Sequence, residues 1–154
     1  MLSEMYRLAA FDLKTAKWNM AQPDDVAPRF AAYHVQQCVE KILKQALRLY
    51  GVNYTKTHSI LELVDMLPDT QEIFSQTVLD LIELRGSRLT DWSAKSRYAE
   101  GYMVKRTTIE QAIELAELAL SELQAYESSM PTAPEAVYDS SSGFGACVPG
   151  ISLE

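Results

Sequence analysis

The chain has 154 residues, of which 47% are hydrophobic and 23% are charged, and its formal net charge is −7. This length suits one domain with a full hydrophobic core that needs neither disulfides nor metals. The negative charge argues against non-specific coating of DNA, because that mode of binding needs a positive surface. The sequence has no secretory leader pattern and no apolar run long enough for a membrane span, so we expect a cytoplasmic protein.

The first half of the chain carries two helical patterns, with apolar residues spaced three and four apart. The first pattern covers residues 3–20, and Ser3 is its expected N-cap. The second covers residues 29–50 and is the strongest in the chain, and Gly51 is well suited to end it. Two long amphipathic helices are therefore predicted.

Capping boxes predict the next two helices, since a hydroxyl or carboxylate three residues before Glu satisfies free backbone N–H groups. Ser59 with Glu62 predicts a short helix over residues 60–67, which Pro68 ends. Asp69 with Glu72 predicts a long helix over residues 70–89. Its expected inner stripe consists of Ile73, Phe74, Thr77, Val78, Leu81, Ile82 and Leu84.

Residues 90–104 have no regular period, and we predict a structured loop there. Thr107 with Glu110 forms a third capping box, which predicts a last helix over residues 105–126. Leu115 and Leu118 lie off the inner stripe of that helix, which favours a second packing partner.

The predicted architecture is an all-α, antiparallel up-and-down bundle of four to five helices over residues 1–126. Residues 127–154 are rich in Ser, Pro and Gly and predict a flexible C-terminal extension. The two cysteines form no metal-binding pattern, and Cys38 falls on an apolar stripe where a buried thiol packs as a small hydrophobe. No metal and no cofactor is expected.

Three short stretches resemble the higher-eukaryote and prokaryote nucleotide-binding (HEPN) family. The first is a helix with a lysine-rich surface and a terminal glycine. The second begins with a threonine–histidine pair, and the third is an Arg-Tyr pair before the last helix. The matching residues are Gln36, Gln37, Glu40, Lys41, Lys44 and Gly51, then Thr57, His58, Ile60 and Leu63, then Arg97 and Tyr98. The resemblance covers about residues 3–126.

This resemblance implies a helical bundle that usually forms a homodimer. It also implies association with a nucleotide or RNA, often beside a minimal nucleotidyltransferase partner, as in toxin–antitoxin pairs. Five residues are the proposed ligand contacts: Lys41, Lys44, His58, Arg97 and Tyr98. Guanidinium and ammonium groups would contact phosphates, and the aromatic ring would stack on a base.

Ribonucleases of the family carry an arginine and a histidine with four to six residues between them, at the start of the last long helix. Arg97 stands at about that place, but Tyr102, Met103 and Val104 occupy the positions where the histidine belongs. The missing imidazole argues against an enzyme, because general acid–base catalysis near neutral pH depends on it.

Arg29 and His34 do have the ribonuclease spacing, but they lie at the start of the second helix. Five helical positions turn the chain by about 500°, which leaves the two side chains roughly 140° apart around the axis. We therefore interpret this pair as a coincidental match.

Structural interpretations compete with each proposed contact. Lys41, Lys44 and Arg48 could form an ordinary solvated helix face, His58 could cap or pack at a helix start, and the aromatic residues of 90–104 could cover the core. Three functions remain open: a non-catalytic nucleotide- or partner-binding module, a metal-independent ribonuclease using Arg97 with a histidine, and an assembly module without a ligand.

Overall fold

The structure, a computed structural model, describes residues 1–131. Within these residues it contains six helices and no strand, which confirms the all-α prediction. Four helices are long and two are short. In chain order they are α1 (Glu4–Met20), α2 (Ala27–Leu49), α3 (Ile60–Asp65), α4 (Gln76–Trp92), α5 (Lys95–Tyr98) and α6 (Arg106–Ser129).

Side-chain contacts establish the directions of the long helices. Ser3 before α1 bonds Glu127 near the end of α6, and Arg106 at the start of α6 donates to the carbonyl of Met20 at the end of α1. These two helices are therefore antiparallel. Arg88 near the end of α4 likewise reaches the start of α6. The four long helices alternate in direction, as expected for an up-and-down bundle.

The core lies where α1, α2, α4 and α6 face one another, and α2 contributes the most buried side chains. Its fully buried hydrophobic residues are Ala31, Ala32, Val35, Cys38, Val39, Ile42, Leu43, Ala46 and Leu47. Cys38 thus packs in the core as predicted, and burial raises the pKa of its thiol. The neutral thiol is a poor nucleophile, so Cys38 contributes packing rather than chemistry.

The start of α1 and the end of α2 follow the prediction closely. Ser3 Oγ accepts the N–H of Tyr6 at 3.0 Å, which makes it the N-cap of α1. Gly51 has φ +68° after α2, and the N–H of Val52 bonds the carbonyl of Leu47 at 2.9 Å. A glycine adopts this left-handed conformation without the steric cost that a Cβ would bring.

The prediction of a helix over residues 70–89 was wrong at its start, because α4 begins at Gln76 with Ser75 as its N-cap. The Gln71 side chain closes a turn instead, donating to the carbonyl of Phe74 and accepting its N–H. The Glu72 N–H bonds the Tyr50 hydroxyl at 2.7 Å. These tertiary and local bonds satisfy the backbone groups that a helix would otherwise have used.

The predicted loop over residues 90–104 contains the end of α4 and the whole of α5. Ser96 Oγ bonds the carbonyl of Trp92, which links the two helices. Arg29 on α2 donates to the carbonyls of Ser96 at 2.9 Å and Ala99 at 2.8 Å. Its guanidinium therefore holds α5 against α2, a contact between distant segments that no local period reveals.

The predicted third capping box, Thr107 with Glu110, does not form. Helix α6 begins at Arg106, and its N-cap Lys105 makes no side-chain bond. Thr107 lies inside the first turn, where its hydroxyl cannot cap. Leu115 is buried in the bundle, whereas Leu118 is exposed. The predicted second apolar side of α6 is therefore reduced to Leu118.

The C-terminal end of α6 packs against the rest of the bundle. The buried carboxylate of Glu127 accepts the Ser3 N–H and hydroxyl at 2.8 Å each and the Gln45 amide at 2.9 Å. The helix reaches Ser129, three residues beyond the predicted end. The rest of the predicted flexible extension, residues 132–154, lies outside the described residues. In the part that is described, no helix is both long and apolar enough to cross a membrane.

Candidate functional site

Three predicted family residues of α2 and the following loop meet at one buried carboxylate. Glu40 is 5% exposed, and its oxygens accept the Gln36 amide and the Lys44 ammonium at 2.7 Å each. The Nδ1 atom of His58 lies 3.1 Å from the same carboxylate. We call Gln36, Glu40, Lys44 and His58 the Glu40 cluster. The charge of Lys44 is therefore already compensated by a neighbouring carboxylate.

Opposing effects act on the pKa of Glu40. Burial raises it, because removal from water disfavours the charged form, but the hydrogen bonds from Lys44, Gln36 and His58 lower it by more. The net result is a pKa below the ordinary value for a glutamate. Glu40 is thus a stable anion that organises the cations around it.

A second carboxylate, Asp12 on α1, holds the predicted contact Lys41. The Lys41 ammonium donates to Asp12 Oδ2 at 2.5 Å, and Asp12 Oδ1 lies 2.9 Å from Nδ1 of His34. We call these three residues the Asp12 cluster. A carboxylate at Nδ1 orients the ring and leaves Nε2 as the remaining polar atom.

Arg97 and Tyr98 lie in a third cluster, at the contact between α5 and α2. The Arg97 guanidinium carbon is 4.4 Å from the centre of the Tyr33 ring and 4.8 Å from the centre of the Tyr98 ring. Its Nε and Nη2 atoms donate to the carbonyl of Ser93. We call Tyr33, Arg97 and Tyr98 the Arg97 cluster. Tyr98 is 75% exposed, so it does not cover the core end as Trp92 does.

The five predicted contacts are therefore divided among three clusters. Lys44 and His58 share Glu40, Lys41 joins Asp12, and Arg97 lies with Tyr98. Within residues 1–131, no hydrogen bond or ion pair connects Arg97 to either lysine or to His58. Aromatic contact connects the Arg97 cluster to the Asp12 cluster, because the Tyr33 ring meets the His34 ring edge-on at 5.1 Å.

Sequence reasoning missed Asp12, Tyr33 and the structural role of Arg29. Asp12 interrupts the apolar pattern of α1 and has no basic residue four positions away. This could have indicated that its carboxylate pairs with a residue of another helix. Tyr33 had no comparable signal, because its role depends on α5 folding back onto α2. Across residues 1–131, no set of three His, Cys, Asp or Glu side chains is placed to hold a metal ion.

Comparisons with known proteins agree with this architecture. No curated protein matches the chain. A solved structure, the crystal structure of TT1696 from Thermus thermophilus, is similar with a TM-score of 0.62 and 21% sequence identity, over 79% of this chain and 94% of that one. At this identity the likeness concerns the fold. The HEPN domain model matches residues 2–126, which is most of the chain. The chain therefore belongs to the HEPN domain family.

Proposed function

We propose that this HEPN domain is a non-catalytic nucleotide-binding module that uses the Arg97 cluster. The observation that supports it is the state of Arg97, whose guanidinium lies over two tyrosine rings and contacts no carboxylate within the described residues. A phosphate can pair with this guanidinium, and the exposed Tyr98 ring can stack on a base.

Lys41, Lys44 and His58 are proposed as auxiliary contacts. Both lysines are held by carboxylates, so a phosphate would have to compete with Asp12 or Glu40 for their charge. His58 is 66% exposed along its side chain and can accept a further contact without leaving Glu40. We therefore expect Arg97 and Tyr98 to contribute most of the affinity.

Binding of the full chain to AMP, ATP and a short single-stranded RNA, measured by calorimetry, tests this proposal. Stacking contributes about 1–3 kcal/mol per base, so Tyr98→Ala should weaken binding by about tenfold. Arg97→Ala should have a similar or larger effect. Arg7→Ala is the matched control, because Arg7 is an exposed arginine on α1 with the same charge. Equal losses for Arg7→Ala and Arg97→Ala would show that only net charge matters.

The absence of any nucleotide or RNA binding would instead favour the assembly module without a ligand. In that case the Arg97 cluster would be structural, and Arg97→Ala should lower stability because α5 loses its contact with Tyr33. Thermal unfolding of the same variants separates the two results.

A metal-independent ribonuclease is the second candidate, supported by the geometry of His34. Asp12 orients the imidazole, and Tyr33 lies between His34 and Arg97. Such an enzyme should cleave RNA in the presence of EDTA. His34→Ala should abolish cleavage, whereas His58→Ala should leave it largely unchanged and serves as the control. No cleavage by the wild type, or equal effects of both variants, would contradict this candidate.

We further propose a homodimer through the outer face of α1. Leu8, Phe11 and Trp18 are exposed apolar residues at helical spacing on this face, and Phe30 is exposed on the neighbouring α2. Phe11 precedes Asp12, and Phe30 lies one turn before Tyr33. A dimer here would therefore border both the Asp12 and the Arg97 clusters.

Size-exclusion chromatography with light scattering tests the dimer. Phe11→Glu or Trp18→Glu should produce a monomer, whereas Leu118→Glu, on the exposed side of α6, should not. The opposite outcome would place the interface on α6. A minimal nucleotidyltransferase remains the proposed second partner, and copurification after coexpression would test it.

A further inference from the structure

A basic groove lies between α4 and the start of α6, on residues that the sequence analysis did not select. Its inner cavity has a volume of about 240 Å³ and adjoins an outer cavity of about 760 Å³. Cavities of this size suit a small organic ligand. The two cavities share Leu84, Arg88, Trp92 and Thr108 as lining residues.

The groove concentrates positive charge on an acidic protein. Arg85, Arg88 and Lys105 line it, and Asp91 is the one carboxylate among the lining residues. Asp91 pairs with Lys95 at 3.5 Å. Within residues 1–131, no carboxylate lies within salt-bridge distance of Arg85, Arg88 or Lys105.

The side-chain acceptors that these arginines contact are neutral. Arg88 Nη1 donates to the Thr108 hydroxyl at 3.4 Å, and Arg85 Nη1 donates to the Gln111 amide oxygen at 3.0 Å. Arg85 Nε is buried and has no hydrogen-bond acceptor within the described residues. A buried donor without an acceptor costs stability, and such costs are typical of binding sites.

Two further features indicate the chemical class of the ligand. Lys105 caps α6 without a side-chain bond, so the first amides of a 24-residue helix remain available to an anion beside the arginines. Leu84 and Met103 on the rim are 74% and 88% exposed, and they offer apolar contact. The groove therefore combines an anion-binding end with an apolar rim.

We propose that the basic groove binds the phosphoryl groups of a small ligand that also carries an apolar or aromatic part, such as a nucleoside polyphosphate. The guanidinium groups of Arg85 and Arg88 match the paired oxygens of a phosphate, and Thr108 adds a hydroxyl. The ligand's ring would lie against Leu84 and Met103.

This site is separate from the Arg97 cluster. None of Tyr33, Arg97 and Tyr98 lines either cavity of the groove. The proposal therefore does not depend on nucleotide binding at α5, and the two can fail independently.

Calorimetry of the full chain with inorganic tripolyphosphate and with ATP tests the groove. Both should bind, and ATP should bind more tightly because its base and ribose contact the rim. Arg88→Gln should weaken the binding of both by about tenfold, the effect expected for one charge-assisted bond to phosphate. Arg7→Gln, the matched control, should change neither.

Two additional variants separate the sources of affinity. Arg97→Ala should leave tripolyphosphate binding unchanged, and Met103→Ser should reduce the advantage of ATP over tripolyphosphate. Arg88 and Arg97 are exposed, so their variants should fold, and circular dichroism checks this. Failure of tripolyphosphate to bind, or equal loss with Arg88→Gln and Arg7→Gln, would overturn the site. ATP binding no tighter than tripolyphosphate would overturn the role of the rim.

Discussion

The basic residues of α2 and those of α4 differ in what compensates their charge. On α2, Lys41 and Lys44 are bound by Asp12 and Glu40 at 2.5 and 2.7 Å. On α4, Arg85 and Arg88 contact neutral oxygens. A cation that is already paired contributes to stability, whereas an unpaired one keeps its charge for a ligand. A lysine stripe on a helix therefore does not by itself identify a phosphate site.

The largest expected effect is on the Glu40 cluster. Glu40→Ala removes a buried carboxylate and leaves Gln36 and Lys44 without their acceptor, so the free energy of unfolding should fall by about 3 kcal/mol. Urea denaturation measures this change. Glu114→Ala is the control, since Glu114 is an exposed glutamate in the middle of α6, and it should cost less than about 0.5 kcal/mol. Equal effects would mean that the cluster is not structural.

The pH dependence of stability should identify the same carboxylate. The folded pKa of Glu40 lies below its ordinary value of 4.5, so its contribution is present above about pH 4.5 and is lost as the pH falls through the folded pKa. The stability difference between wild type and Glu40→Gln should therefore be largest at neutral pH and shrink below about pH 4. Denaturant titrations at several pH values measure it. A stability difference that stays constant with pH would contradict the lowered pKa of Glu40.

A smaller loss is expected at the Asp12 cluster, which is closer to solvent. Asp12→Asn weakens the bonds to Lys41 and His34 and should lower the free energy of unfolding by about 1.5 kcal/mol. Asp65→Asn, at an exposed position on α3, is the control. If Lys41 is available to phosphate only when unpaired, Asp12→Asn should also raise the affinity for ATP. An unchanged affinity would show that the ion pair with Asp12 does not keep Lys41 from binding phosphate.

The smallest effect on stability is expected in the basic groove. Arg88→Gln removes an exposed cation with one long hydrogen bond, so thermal and urea unfolding should change by less than about 0.5 kcal/mol. Arg85→Met should be neutral or slightly stabilising, because it removes a buried N–H without an acceptor. A loss above about 1 kcal/mol in either variant would mean that these arginines are structural, and the contrast with α2 would disappear.

Much of the fold was predictable because helical periodicity is a local property. The predicted segments over residues 3–20 and 29–50 match α1 and α2 to within two residues, and Cys38 is buried as expected. The start of α4 was not predictable in this way. Gln71 and the Tyr50 hydroxyl satisfy the backbone that the Asp69–Glu72 pattern assigned to a helix, and Tyr50 comes from a distant part of the chain.

The candidate sites were less predictable than the helices. The pattern of α2 selected Lys41 and Lys44 but could not reveal that Asp12 from α1 lies beside one of them. Arg85 had a local signal, since it has no acidic residue three or four positions away, whereas Arg88 has Asp91 three positions away. An arginine without an acidic neighbour indicates a binding site only when the tertiary structure places it in a groove, as here between α4 and α6.

Residue spacing along the chain was enough to predict the all-α class, the amphipathic faces of the main helices and the HEPN resemblance, because each of these is a local property. The tertiary structure alone decided which charges are paired and which remain open. Arg29 reaches α5 across about seventy residues, and Asp12 reaches Lys41 across 29. Pairing of charges is a matter of distance in space, and helix packing sets that distance.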